Sequence, residues 1–128
     1  MTNVEKIIES LIFIEWNMKE DIDASRISAE VGYSPHYFRK LFRRVTGLSL
    51  ETYLCRRRLT EAFKALKQNP DNAIKITYEY KFKCLKEFTK TFFRQFKTYP
   101  AEFHLKQPVN HLKLQEAIVY DVIHKAGL

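Results

Sequence analysis

The chain has 128 residues, which is enough for one folded domain or for two very small domains that pack against each other. Because 45% of the residues are apolar and 14% are aromatic, the chain can bury a core and is not disordered. Three Gly and four Pro are too few for a turn-rich β-sandwich or a Gly-rich phosphate-loop fold, which favours an all-α protein. The net charge of +7 indicates a polyanionic partner, either nucleic acid or an anionic membrane surface.

Several classes of protein are excluded by the sequence pattern. No apolar run approaches about 18 residues, so we expect no membrane-spanning segment, and the polar residues 1–9 do not resemble a secretory signal peptide. Cys55 and Cys84 lack both C-x-x-C spacing and regular His partners, which argues against a disulfide scaffold and a zinc site. We therefore expect a cytoplasmic protein with no metal and no other cofactor.

The first predicted element is an amphipathic helix that serves as core scaffold. Its apolar residues are Val4, Ile7, Ile8, Leu11, Ile12, Ile14 and Met18, and its glutamates lie away from that stripe. Residues 1–25 carry a net charge of −4, residues 26–106 carry +11, and residues 107–128 are neutral. The basic character of the protein therefore belongs to the middle of the chain.

A short helix, a tight turn and a second helix are predicted next. The short helix covers residues 27–31, with Ser25 as its N-cap, and Gly32 ends it in the left-handed conformation. Ser34 and Pro35 open the second helix as N-cap and first helical residue. Its apolar stripe consists of Phe38, Leu41, Phe42 and Val45, and its opposite face consists of His36, Arg39, Lys40 and Arg43.

A long helix over residues 49–68 is predicted to follow and to end before Asn69 and Pro70. Its apolar pattern consists of Leu50, Tyr53, Leu54, Leu59, Ala62, Phe63 and Leu66. The helix also carries Arg56, Arg57 and Arg58, which have two open interpretations. They contact phosphates or bond between the flanking segments, or they are solvated and paired with acidic groups such as Glu61.

The segment from Ile76 repeats the segment from Ile27 with one extra residue. Phe88, Phe92 and Arg94 align with Phe38, Phe42 and Arg44, and Lys90 aligns with Lys40. In the second copy Phe88, Phe92 and Phe96 form the apolar stripe, while Lys86, Thr89 and Lys90 lie on the other face. Leu114, Ile118, Val122 and Ile123 predict one more helix near the C-terminus.

These patterns predict an all-α fold with two helix-turn-helix units joined by a long central helix. In such a unit the second helix is apolar on the side that packs on the first helix, and cationic on the side that enters the DNA major groove. Two alternatives stay open: a packaging or RNA-binding protein with little sequence preference, and a protein-interaction module whose second unit no longer binds DNA. An enzyme is not expected, because the histidines lack a catalytic Asp, Ser or Cys partner at a recognisable spacing.

The stretches GYSPHYFRKLFRRVTGLSLETYLCRRRLTEA and FTKTFFRQFKTYPAEF resemble the paired helix-turn-helix domain of AraC/XylS-type bacterial transcription regulators, in particular the short stand-alone activators of that family. The resemblance covers residues 3–106 and leaves residues 107–128 as an extension of unknown role. It implies a monomer whose two recognition helices enter successive major-groove segments of double-stranded promoter DNA, and which recruits RNA polymerase. It also implies helix-turn-helix units at about residues 25–46 and 73–97.

The resemblance further implies which residues contact DNA. The base-facing positions are His36, Arg39 and Lys40 in the first unit, and Leu85, Lys86, Thr89 and Lys90 in the second. The phosphate-facing positions are Arg43, Arg44, Arg57, Lys83 and Arg94. Catalytic and metal-binding residues are expected to be absent.

The second unit departs from the family pattern at three positions. Lys81 stands where the first unit has Gly32, and a side chain in the left-handed region costs about 1 kcal/mol or more, so we expect a turn of different geometry. Thr77 replaces a usual Ala, and Leu85 replaces a residue that is commonly polar. We therefore expect the first unit to carry most of the sequence specificity.

Overall fold

The structure, a computed structural model, describes residues 1–102 and 113–128, and the described residues contain helices and no strands. The helices are α1 (Asn3–Trp16), α2 (Ala24–Glu30), α3 (Pro35–Thr46), α4 (Leu50–Gln68), α5 (Ala73–Glu79), α6 (Leu85–Phe96) and α7 (Val119–Lys125). Short 3₁₀ turns occupy Pro70–Asn72 and Pro100–Glu102. The predicted all-α fold class is confirmed. Within the described ranges, no helix combines the length and apolarity needed to cross a membrane.

The chain divides into two compact units, and the division differs from the predicted one. Unit 1 comprises residues 1–55 and 117–128, and unit 2 comprises residues 56–116. The predicted boundary at residue 106 lies outside the described residues. Residues 117–128, expected to form part of a separate extension, belong instead to unit 1.

Unit 1 is built on α1, which packs against α2, α3 and α7. Thr2 and Glu5 form a capping box at its N-terminus. The stripe prediction needs two corrections: Ile12 is 44% exposed, and Met18 lies beyond the end of the helix although its side chain is buried. The core that α1 shares with its neighbours consists of Ile7, Leu11, Ile14, Ile22, Ala24, Ile27, Val31, Phe38, Leu41, Phe42, Leu50, Tyr53, Leu54 and Val122.

Helix α7 is shorter than the predicted last helix, because Leu114 precedes it and Ile118 is its N-cap. Val122 is buried in the unit 1 core. The backbone N–H of Ile118 donates a hydrogen bond of 3.2 Å to the hydroxyl of Tyr53 in the first part of α4. The C-terminal residues are therefore part of the unit that carries α3.

The two helix-turn-helix motifs share one turn geometry. In unit 1 the N–H groups of Gly32 and Tyr33 donate to the carbonyls of Ala29 and Ser28 at 3.1 and 3.0 Å. The corresponding bonds of unit 2 run from Lys81 to Tyr78 and from Phe82 to Thr77, both at 3.0 Å. Lys81 has φ +72° and Gly32 has φ +80°. The expectation of a different turn in the second unit is therefore wrong: Lys81 accepts the left-handed conformation.

Ser28 and Thr77 have the same role in the two units. Both side chains are buried, and each hydroxyl donates to the carbonyl three residues earlier, at 3.1 Å to Ser25 and 2.9 Å to Ile74. A buried hydroxyl that is satisfied within its own helix does not disturb the packing around it. The predicted departure at Thr77 is therefore tolerated by the fold.

The N-caps of the four motif helices differ. Asp23, and not Ser25 as predicted, caps α2, because its carboxylate accepts from the Arg26 N–H at 2.8 Å. Ser34 caps α3 as predicted, accepting from the Tyr37 N–H at 3.3 Å. The N-cap positions of α5 and α6, Asn72 and Cys84, make no side-chain cap hydrogen bond. Unit 1 thus has the better-capped motif.

Unit 2 has a core of aromatic rings in tilted and edge-on contact. The ring of Phe92 lies 5.1 Å from Phe63, 5.7 Å from Phe88 and 4.9 Å from Phe96, and Phe82 lies 5.4 Å from Phe88. Aromatic pairs in tilted and edge-on arrangements at these separations each contribute about 0.5–1.5 kcal/mol beyond the area they bury. This cluster holds α6 against the second part of α4 and against the turn that precedes α6.

Candidate nucleic-acid interface

Helix α3 has one buried and one exposed face, as its sequence predicts. Phe38, Leu41 and Phe42 are buried in the unit 1 core. The predicted polar residues share the opposite face because their spacing is i, i+3, i+4, i+7, and all four are exposed: His36, Arg39, Lys40 and Arg43. Arg44 is also exposed. The structure therefore brings the predicted base-facing and phosphate-facing residues of unit 1 onto one solvent-facing helix.

The start of α3 is tied to the start of α1 by a small polar and aromatic cluster. The Tyr33 hydroxyl donates to Asn3 Oδ1 at 2.7 Å, and Asn3 Nδ2 donates to the Tyr37 hydroxyl at 3.1 Å. The two tyrosine rings meet edge-on with centroids 5.1 Å apart. This contact fixes the N-terminal turn of α3, which carries His36.

Arg39 forms an ion pair with Glu51 in the first turn of α4. Its Nε lies 2.6 Å from Glu51 Oε1, and the side chains are 52% and 58% exposed. Burial acts to raise the pKa of Glu51, but the hydrogen bond from Arg39, a backbone hydrogen bond at its own residue and the charge of Arg39 outweigh it, so that pKa is lowered. Glu51 is therefore ionised at neutral pH.

Helix α6 presents the predicted second set of residues. Lys86 and Lys90 are exposed, and Leu85 is 42% exposed. Thr89 is half-buried, and its hydroxyl donates to the Leu85 carbonyl at 2.9 Å. The face of α6 thus combines two cations that have no ion-pair partner among the described residues with an apolar side chain and a hydroxyl that already has a backbone partner.

The predicted phosphate contacts fall into two groups. Arg43, Arg44, Lys83 and Arg94 are exposed, and Arg94 Nη2 lies 3.2 Å from the Thr91 hydroxyl. Arg57, by contrast, is 4% exposed. Its Nη1 donates to Glu61 Oε2 at 3.0 Å and to the Gln115 carbonyl at 2.8 Å.

Arg57 must therefore be removed from the predicted contact set, because a guanidinium buried and bound in this way is not available to a phosphate. The alternative interpretation, pairing with Glu61, is the correct one. Arg56 is half-buried and also bonds within unit 2, where its Nε donates to Gln95 Oε1 at 3.0 Å.

Sequence reasoning did not identify Glu51 or Asn3 as partners of the interface. Each contacts a recognition-helix residue across a long sequence separation, 12 residues for Glu51 and 34 for Asn3, so no local spacing reveals the pairing. The available signal for Glu51 was its place in the first turn of a predicted helix, two residues after Ser49. Among residues 1–102 and 113–128, no cluster of His, Cys, Asp and Glu could hold a metal ion.

Residues 27–106 match the sequence model of a helix-turn-helix domain. The Transposon Tn10 TetD protein of Escherichia coli is 32% identical over 97 residues, which are 76% of this chain and 70% of that protein. The HTH-type transcriptional activator AarP of Providencia stuartii is 33% identical over 86 residues, 67% of this chain and 64% of AarP. The transcriptional regulator Rob of Salmonella typhimurium is 30% identical over 95 residues, and the chain spans only 33% of its length.

A solved structure shares the fold. The crystal structure of a transcriptional regulator with an AraC-type DNA-binding domain from Chromobacterium violaceum superposes with a TM-score of 0.73 at 25% identity. The match covers 81% of this chain and 95% of that one.

Proposed function

Because this chain belongs to the AraC-type helix-turn-helix family of DNA-binding transcription regulators, which are not enzymes, we propose that it binds a specific double-stranded promoter sequence through the exposed faces of α3 and α6. The observation that carries the proposal is the pair of matching motifs, each with the same turn hydrogen bonds and an exposed cationic second helix. An α-helix fits the major groove, where the pattern of donors and acceptors distinguishes all four base pairs.

In this proposal, α3 and α6 enter successive major-groove segments of one asymmetric site. His36, Arg39 and Lys40 face bases in one segment, and Leu85, Lys86, Thr89 and Lys90 face the other. The phosphate contacts come from Arg43, Arg44, Lys83 and Arg94. The protein binds as a monomer, since one chain already supplies two recognition helices, and it acts in the bacterial cytoplasm, where promoter DNA lies.

The exposed faces of α3 and α6 differ in chemistry, which supports unequal contributions of the two helices to sequence specificity. Arg39 can give two parallel hydrogen bonds to guanine O6 and N7, a contact worth about 1–3 kcal/mol of discrimination. In unit 2 the Thr89 hydroxyl donates its hydrogen bond to the Leu85 carbonyl. The exposed Leu85 side chain can contact a thymine methyl. We therefore assign most of the specificity to α3, and to α6 the roles of electrostatic and apolar anchor.

Salt dependence tests the proposal most simply. A duplex selected from a randomised pool should bind with an affinity that falls steeply with salt, by about 0.9 in log K per log unit of salt for each phosphate neutralised. Lys83→Gln should reduce the slope by about one, because it removes one of the proposed phosphate contacts, whereas the control Lys125→Gln, in the exposed last turn of α7, should not. A slope near zero for the unmodified protein would refute nucleic-acid binding.

Competition distinguishes sequence-specific binding from the two alternatives. Random duplex DNA and RNA should compete at least a hundredfold more weakly than the selected duplex, because specific sites are typically bound about 10³–10⁷ times more tightly than non-specific DNA. Equal competition would indicate a packaging or RNA-binding protein. Negligible affinity for every duplex would leave the protein-interaction module.

We also propose that the bound protein activates transcription by recruiting RNA polymerase. The similar AarP protein of Providencia stuartii is a transcriptional activator, which supports the activating role. Transcription in vitro from a promoter that contains the selected site measures this directly. Added protein should increase the transcript, and Arg39→Ala should abolish the increase at protein concentrations that saturate only the unmodified protein. A decrease in transcript would make the protein a repressor.

A further inference from the structure

The contact between Arg39 and Glu51 uses one edge of the guanidinium. Glu51 Oε1 is bound to Nε, at 2.6 Å. A guanidinium carries five N–H donors in a fixed planar fork, so this bond leaves the donors of the two terminal nitrogens for another acceptor. Among the described residues the Arg39 side chain makes no other hydrogen bond. Fixing Nε therefore orients the fork without occupying its end.

Glu51 is itself held in place by the start of α4. The Thr52 N–H donates to the Ser49 hydroxyl at 3.2 Å, so Ser49 caps the helix and Glu51 lies in its first turn. A carboxylate is stabilised there by the helix dipole and by unsatisfied backbone N–H groups. The acid that meets Arg39 is thus anchored on a different helix from the one that presents Arg39.

We propose that Glu51 is a positioning residue that fixes the side chain of Arg39 for end-on, two-bond recognition of a guanine in the major groove. The inference rests on the proposed function, in which Arg39 faces a base. A free arginine side chain has many rotamers, so holding it in one geometry is entropically costly. Limiting its freedom before binding reduces what is lost when the two guanine bonds form, since preorganisation increases affinity mainly by lowering such costs.

The energy of the pair makes the proposal testable without unfolding the protein. An ion pair between two side chains that are both more than half exposed contributes little to stability in water, so its loss leaves the fold intact. Exclusion of water by bound DNA strengthens the same interaction, because the local dielectric falls. Removing Glu51 should therefore change recognition far more than stability.

A positioning role and a purely electrostatic role of Glu51 have different consequences for binding. Glu51 is a negative charge beside a DNA-binding face, and if it acted only by repelling phosphates, its neutralisation would tighten binding to every sequence equally. A positioning role instead predicts a loss confined to the base pair that Arg39 contacts. The two roles give different base-preference profiles, so a scan of single base-pair substitutions separates them.

The experiment compares the unmodified full chain with Glu51→Gln, Arg39→Ala and the double variant on the selected duplex and its single base-pair substitutions. Arg39→Ala should locate the guanine that Arg39 contacts. Glu51→Gln should reduce the preference for that guanine about three- to tenfold, with unchanged preferences elsewhere. In the double variant, loss of Glu51 should have no further effect at that position.

Glu30→Gln is the matched control, because it removes one carboxylate charge from an exposed position of α2 in the same unit. It should leave the preference for the guanine unchanged. A second measurement reports on the pair in the free protein: the NMR signal of the Arg39 Nε–H should shift and exchange faster with water in Glu51→Gln, and not in Glu30→Gln.

Failure of the two proposals is distinguishable. If Arg39→Ala leaves every base preference unchanged, the assignment of Arg39 as a base-facing residue fails, and the inference about Glu51 fails with it. If Arg39→Ala removes a guanine preference but Glu51→Gln does not reduce it, or tightens binding to all sequences equally, only the positioning role of Glu51 is overturned.

Discussion

Replacement of Lys97 by glycine should stabilise the protein, because Lys97 has a left-handed backbone conformation, which glycine adopts without strain. It lies at the C-cap of α6 with φ +60°, and its N–H donates to the Phe93 carbonyl at 2.7 Å. The equivalent residue of α3 is Gly47, with φ +79° and an N–H that donates to the Arg43 carbonyl at 2.8 Å. The two units thus end their recognition helices in the same way, one with glycine and one with lysine.

The expected gain follows from two opposing effects. A left-handed backbone costs an L-residue with a side chain about 1–2 kcal/mol. Glycine removes that cost but adds about 0.4–1 kcal/mol of conformational entropy to the unfolded chain. Lys97→Gly should therefore raise the free energy of unfolding of unit 2 by about 0.5–1 kcal/mol. Gly47→Lys should lower that of unit 1 by a similar amount through backbone strain alone. Apart from its chain neighbours, no described residue has an atom within 4 Å of the Cβ it would introduce.

Urea denaturation combined with amide hydrogen exchange measures the two units separately, since exchange reports local opening. Lys97→Ala is the control: it removes the charge but keeps a Cβ, so it should not stabilise. The reasoning is refuted if Lys97→Gly and Lys97→Ala have equal effects, or if the protection gained by Lys97→Gly lies in α1 to α3 rather than in α6.

Three further predictions concern other contacts. Arg57→Ala should destabilise the protein by about 2–3 kcal/mol in urea denaturation, because it removes hydrogen bonds to charged Glu61 and to a backbone carbonyl. The variant should keep the base preferences of the unmodified protein. A selective change in base preference would contradict a purely structural role for Arg57. Cys84→Ser should add a side-chain N-cap to α6 and raise the free energy of unfolding by about 0.5–1 kcal/mol. Ser34→Ala should lower it by about as much, because it removes the N-cap of α3. If Cys84→Ser does not change the free energy of unfolding, the N–H groups at the start of α6 already have other partners. The hydrogen bond and charge of Arg39 lower the pKa of Glu51, so the small contribution of Glu51 to the free energy of unfolding is present above the ordinary value of 4.5 and is lost as the pH falls through its lower folded value. The free energy of unfolding should therefore fall less with acid in Glu51→Gln than in the unmodified protein. Identical pH dependences would argue against the ion pair in solution.

Much of the fold could be predicted because its signals are local. The resemblance of the two copies predicted both motifs, and the helices observed for the two copies, 24–30 with 35–46 and 73–79 with 85–96, preserve the predicted insertion of one residue. Ser34 and Pro35 identified the start of α3 from chemistry alone. The all-α class and the AraC-type family are confirmed by the helices and by the similar proteins.

The backbone conformations of Lys81 and Lys97 could not be predicted from residue type, because lysine carries no preference for φ above zero. Arg57 is a different case, since its burial could have been predicted. Arg57 lies seven residues after Leu50 and four after Tyr53, so it belongs to the buried stripe of α4, and the charge of the residue obscured that periodicity.

The remaining errors come from contacts between distant parts of the sequence. Helix α7 has only seven residues, and its partner surface on α1 lies more than 100 residues earlier, so its packing in unit 1 left no local pattern. The pair of Arg39 and Glu51 likewise joins two helices. The predicted residues on the outer faces of α3 and α6 are exposed except for the half-buried Thr89, whereas the pairing of Arg39 with Glu51 was visible only in three dimensions.

Chemical protection of the bound DNA shows whether the exposed faces of α3 and α6 enter the major groove of a specific duplex. Dimethyl sulfate methylates guanine N7 in the major groove and adenine N3 in the minor groove, so it reports which groove is covered. If both helices lie in the major groove, guanine N7 within the selected site should be protected, and one guanine should recover its reactivity in Arg39→Ala. Protection confined to adenine N3, or full reactivity at every guanine N7 of a saturated duplex, would contradict this placement of the helices.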